Sequence, residues 1–140
     1  MKCMPVPKKF TNFKMIRKDF IQRYLDELTK VIARVLQFKQ NNEPEKANYE
    51  LDEFGKNFLS INLNEIIGIQ PGELIKTLIT IYQFDLTRFK LLEDLLYHKY
   101  LLNTSDKRLK NCTLEVLNYL TANDVDYSFE RMNRIDELTY

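Results

Sequence analysis

Between Arg17 and Gln40 the apolar residues recur with a period that leaves few folds open. Ile21, Leu25, Leu28, Ile32 and Val35 follow at steps of four, three, four and three, the repeat that lines one side of an α-helix. Phe20, Tyr24, Val31 and Phe38 form a second row beside the first. Two rows make a wider face than a surface helix needs. The segment is therefore expected to bury against two neighbours and to be the hub of the fold.

The same period returns along the chain. Asn41, Asn42 and Glu43 close the first helix, and Pro44 opens a second at a position where a missing N–H costs nothing. Ala47, Leu51, Phe54, Phe58 and Ile61 carry its stripe, and the short link makes the pair an antiparallel hairpin. Gly55 lies on that stripe, where glycine costs about 1 kcal/mol of helix propensity. A close helix contact is the expected compensation, with a hinge as the alternative. Gly68, Pro71 and Gly72 break the middle of the chain, with a short helical turn over Leu63 to Ile67. Leu74 to Tyr82 is rich in β-branched residues, so a strand is the alternative there. Leu74, Ile75, Leu78, Ile79 and Tyr82 fit the helical period, no partner strand exists, and helix is the preferred reading.

Asp85 is the expected N-cap of a helix running to about Leu102, with Leu86, Phe89, Leu92, Leu95, Leu96 and Leu102 inward. Thr104 or Ser105 caps the next, which buries Leu109, Cys112, Val116 and Leu120. A last helix starts near Tyr127 with Asp126 as its cap and Phe129, Met132, Ile135 and Leu138 inward. The sum is an all-α chain of five to six helices, packed as antiparallel helical hairpins around a single core. Three glycines and four prolines suit helix better than the many turns of a β fold. A 44% apolar content over 140 residues is enough to offset the entropy lost on ordering.

Charge divides the chain in two. Residues 1–14 hold Lys2, Lys8, Lys9 and Lys14 and no acid, so they carry +4 against a total of +1 and leave −3 for the remainder. With Pro5, Pro7 and no apolar period, residues 1–14 read as a basic, loosely structured extension, and residues 15–140 as one helical domain. The extension is an unstructured terminus or, in the alternative, an arm for RNA or a membrane. The abrupt change at Met15 also makes that residue a candidate second start of translation. No secretory pattern is present, because Pro5, Pro7, Lys8 and Lys9 stand where an apolar core would be. No apolar run approaches a bilayer span, and the cytoplasm is the expected compartment.

Catalytic constellations are missing. Two cysteines and one histidine cannot supply the four ligands of the usual zinc sites, so neither a metal nor a cofactor is expected. Cys112 lies on an apolar stripe and reads as a small buried hydrophobe; a disulfide to Cys3 is not excluded. His98 stands four residues after Asp94 and shares its helix face, as an ion pair, an interface residue or half of an acid-oriented base. No Gly-x-Ser-x-Gly nucleophile and no second histidine accompany it. Gly68 and Gly72 lack the Lys-Ser/Thr that a phosphate loop needs. Eight tyrosines and nine phenylalanines sit mostly at core spacing. Tyr97, His98 and Tyr100 are the candidate partner-contact residues, with packing as the ordinary alternative.

Residues 17–61 and 85–122 share a layout: an aromatic-rich first helix, a polar turn and a second helix with a small or medium apolar residue early. The layout is similar to the tetratricopeptide (TPR) hairpin. It departs from that repeat at Val35, Tyr97 and Leu109, where larger side chains stand at the closest crossing. A second likeness starts at Met15. Met15-Ile16-Arg17-Lys18-Asp19-Phe20-Ile21, with Leu28, Ala33, Leu36 and the turn Asn42-Glu43-Pro44-Glu45-Lys46-Ala47, resembles an uncharacterised bacterial family of short all-helical proteins over residues 15–61. That resemblance implies a bacterial, cytoplasmic helical-hairpin protein and brings no catalytic residues. The expected function is non-enzymatic contact with protein, as adaptor or self-associating unit, without a membrane. A nucleic-acid role through the basic tail is the second reading, and a small enzyme with a site shared between subunits the third.

Overall fold

The computed structural model describes the backbone of residues 5–140 and the side chains of residues 21–140. Among the described residues there are seven helices and no strand: α1 (Pro5–Gln40), α2 (Pro44–Phe58), α3 (Leu63–Ile67), α4 (Leu74–Thr80), α5 (Leu86–Leu102), α6 (Lys107–Asn123) and α7 (Phe129–Thr139). α1 begins well before the Arg17 start that periodicity indicates. The extension read over residues 1–14 lies outside the described residues for residues 1–4 and for every side chain. None of the helices, among the described residues, is long and apolar enough to cross a membrane.

α1 and α2 form one antiparallel hairpin and α5 and α6 another, stacked into a single core. The first turn is closed by a Schellman pair: Glu43 N–H donates to Phe38 O at 2.8 Å and Asn42 N–H to Lys39 O at 3.1 Å. Asn42 takes the left-handed conformation (φ 59°) that this motif needs. Arg34 on α1 and Glu50 on α2 bridge the hairpin at 2.8 Å.

α1 does meet two neighbours, α2 and α5, but among the described residues α5 is the helix with the most buried side chains. Phe89, Leu91, Leu92, Leu95, Leu96 and Tyr100 are all buried, and α5 meets α1, α2 and α6. Its paired leucines at 91–92 and 95–96 point apolar surface around most of the helix. α1 buries Leu28, Val31 and Val35, whereas Leu25 and Leu36 are 44% and 47% exposed.

Three local expectations change. α6 is capped by Asp106, whose carboxylate accepts from Leu109 N–H at 3.0 Å, in place of Thr104 or Ser105. α7 is capped by Ser128, which accepts from Arg131 N–H at 3.1 Å, in place of Asp126. That shift turns Phe129 outward and leaves Arg131, Arg134 and Leu138 as the buried stripe. Asp85 does cap α5, accepting from Arg88 N–H at 2.9 Å. Leu74–Thr80 is helix. At Gly55 the close neighbours are Leu63 and Ile61, whose side-chain carbons would lie 3.3 and 3.5 Å from an added Cβ. The glycine admits α3 and its lead-in, not a facing long helix.

Candidate functional site

α7 reaches the core through two arginines three residues apart, a spacing that places them on one helix face. Arg134 Nη1 donates to Glu93 Oε2 and to Asp94 Oδ1, each at 2.7 Å, and Nη2 lies 3.5 Å from Glu130 Oε2. Its guanidinium sits 4.1 Å from the Tyr97 ring centroid, a cation–π arrangement. The Tyr97 hydroxyl donates to Glu137 Oε1 at 2.7 Å, so α5 and α7 are joined at several points. Arg131 Nη2 bonds Asp124 Oδ2 at 2.9 Å, and Lys90 Nζ approaches the same oxygen at 3.2 Å.

The electrostatics follow from the count of charges. Three carboxylates share the Arg134 guanidinium. Burial pushes the Glu93 carboxyl up to about 7; Arg134 works against this, and Asp94 and Glu130 add to it. Burial opposes the charge of Arg134, but Glu93 and Asp94 hold its pKa above the ordinary value. Burial lowers the pKa of His98, with Asp94 acting in the other direction. Burial and the bond to Glu137 raise the Tyr97 hydroxyl to about 12. Asp124 lies well below the usual carboxylate range, at about 2, held there by bonds from Arg131, the Asp126 N–H and Lys90.

A groove of about 300 Å³ opens beside this network, between α1, α5 and the α6–α7 link. Leu25, Leu28 and Leu91 give it apolar walls, and Asp94, Asp126 and Glu130 belong to its lining. The link continues the surface outward: Val125 is 95%, Tyr127 77% and Phe129 69% exposed. Its two ends are extended, with Asp124 and Ser128 turned inward to bond Arg131. Three consecutive odd-numbered apolar side chains thereby stand in water. A second cleft, of about 530 Å³, lies between the end of α2 and the α4–α5 link and includes Tyr24, Phe58, Tyr82 and Arg88.

The candidate contact residues divide. Tyr97 and His98 are half-buried beside the Arg134 network, their rings edge to face at 5.5 Å. Tyr100 is buried in the core. Asp94 engages Arg134. Cys112 is buried and its thiol is pushed up to about 12, chiefly by burial, which keeps it protonated and inert as a nucleophile. Cys3 lies outside the described residues. Among those residues no group of three or more His, Cys, Asp or Glu side chains is placed to hold a metal ion.

From sequence, Glu93 and Asp94 are adjacent carboxylates expected to point in different directions on a solvated face. Both nevertheless accept from Arg134 Nη1, and Glu93 is buried. Arg131, Arg134 and the α6–α7 link carry no expectation of a site. A signal existed in Leu91-Leu92-Glu93-Asp94-Leu95-Leu96, where acids inside a leucine run must be buried or paired. A second lay in the 3–4 spacing of Arg131, Arg134 and Leu138. Comparison with family models, curated proteins and solved structures finds no match for this chain.

Proposed function

We propose that this chain is a non-enzymatic helical-hairpin domain that works through protein–protein contact, as an adaptor or a self-associating unit. The observation that carries the reading is the apolar lip Val125, Tyr127 and Phe129 standing in water beside a formed groove. Contiguous exposed apolar surface with a polar rim is the ordinary mark of an interaction site. The antiparallel pairs and their polar turns support a TPR-like arrangement, with large residues at Val35, Tyr97 and Leu109 setting it apart from a regular array. The opening from Met15 supports kinship with the bacterial family of short helical proteins and a cytoplasmic setting.

Affinity capture from the native cells tests this reading. The full chain is expected to retain one stoichiometric, identifiable protein, and Val125→Ser, Tyr127→Ser and Phe129→Ser together are expected to release it. Strong retention on immobilised RNA by a chain lacking residues 1–14 would overturn the reading.

A further inference from the structure

The rim of the groove holds more negative charge than its own cations neutralise. Glu93, Asp94, Asp124, Asp126 and Glu130 line it. Lys90 and Arg131 meet Asp124, and Arg134 meets Glu93, Asp94 and Glu130. Among the described residues, five carboxylates thus face three cations, and Glu130 and Asp126 are the exposed members. An occupant with apolar groups for the Leu25, Leu28 and Tyr127 walls and positive charge for the rim would complete the site.

The chain contains such a segment. Residues 1–14 carry Lys2, Lys8, Lys9 and Lys14, no acid, and two phenylalanines, Phe10 and Phe13. Residues 5–14 cannot serve the groove of their own chain. α1 is one helix from Pro5 to Gln40, and its Leu25 and Leu28 form a groove wall. At about 1.5 Å per residue, Lys14 lies roughly 16 Å and Lys8 roughly 25 Å along the axis from Leu25. An unbroken helix does not fold back along its own side. A second molecule has no such restriction.

We propose that the groove between α1, α5 and the α6–α7 link receives residues 1–14 of a second copy of this chain. The inference rests on the protein-contact reading and names its partner. Exchanged about a two-fold axis, two segments fill two grooves and close the assembly as a dimer.

Sedimentation of the full chain from low micromolar to about 100 μM, at low and high salt, tests the assignment. A dimer weakened by salt is expected. Lys8→Glu with Lys9→Glu should raise its dissociation constant roughly tenfold or more, as should Asp126→Lys with Glu130→Lys. Joining both pairs in one chain should restore association, which a misfolded variant would not do. A chain monomeric throughout, or a dimer indifferent to both charge pairs, overturns the proposal. If a monomeric chain still captures a different protein through the Val125, Tyr127 and Phe129 lip, this inference fails and the protein-contact reading stands. If it captures none, both fail. RNA retained by the monomer and lost with Lys8→Glu and Lys9→Glu assigns the segment to nucleic acid and likewise overturns the proposal.

Discussion

Lys99 ties α5 to α2, and Arg134 ties α7 to α5; both are about nine-tenths buried, but they meet different company. Lys99 Nζ has one carboxylate, Asp52 at 2.8 Å, and one amide oxygen, Asn48 at 2.9 Å. The Asp52 side chain keeps 38% of its surface in water. Arg134 meets three carboxylates, of which Glu93 is 10% exposed. One tie is balanced and half-hydrated; the other is overloaded with acid, and its central carboxylate, Glu93, is dry. Local charge count, more than burial of the cation, should decide what each tie contributes and how it responds to solution conditions.

The largest expected effect comes from removing the crowded tie. Arg134→Met keeps length and apolar bulk but leaves Glu93 buried with Asp94 beside it and no counter-charge. Breaking a buried pair from one side costs about 3–5 kcal/mol, and the contact with the Tyr97 ring goes too. Denaturant unfolding at pH 8 should show this loss. Adding Glu93→Leu should return most of it, because an apolar pair of similar volume has no charge to desolvate. A cost under about 1 kcal/mol would mean that the arginine is decoration, and the contrast between the ties would collapse.

Acidity gives a second, smaller handle. The Glu93 carboxyl has its ordinary value of 4.5 in the unfolded chain and about 7 in the folded one. The folded state therefore binds the extra proton between those values. The resulting stabilisation is complete below pH 4.5 and is lost as pH rises through 7, at most about 3 kcal/mol. His98 has the opposite sign: burial lowers it from 6.5, so its share is present above 6.5 and is lost as pH falls. The wild-type curve sums the two, and Glu93→Gln separates them. The stability gap between wild type and E93Q should grow in favour of wild type as pH falls from 7 to 4.5. A gap independent of pH would show that Glu93 is ionised in the fold and that the site is not overloaded.

These two ties also mark how far the chain could be read without coordinates. Its helices were legible because apolar period is a local property, and Leu109, Cys112, Val116 and Leu120 are buried as spaced. The width of the apolar face on α1 did foretell two neighbours, α2 and α5, but not that α5 would bury more side chains. In α1 that width ends in exposed Leu25 and Leu36. The ionic site was illegible for a physical reason. Period identifies a buried stripe only when the stripe is apolar, and α7 buries two arginines, of which Arg134 finds Glu93 and Asp94 about 40 residues earlier and Arg131 finds Asp124 across the α6–α7 link. Such pairing is a property of the packed chain. Caps failed more narrowly: Thr104, Ser105 and Asp106 are all competent acceptors, and the backbone path at Asp106 (φ −79°, ψ 99°) selects one.

The smallest expected effect is on the balanced tie, and it is the sharpest check on the comparison. Lys99→Met fills the same path through the core, so little packing is lost. Asp52 loses its partner but not its water, and Asn48 keeps a bond to solvent or backbone. The cost should be that of a charge-assisted hydrogen bond with a half-hydrated acceptor, about 1 kcal/mol. Because Asp52 is reached by solvent ions, 1 M KCl should remove much of that cost. The same salt should leave most of the Arg134→Met cost in place, since the Glu93 side chain is only 10% exposed. Equal salt sensitivity in the two variants would refute the distinction between a hydrated and a dry tie.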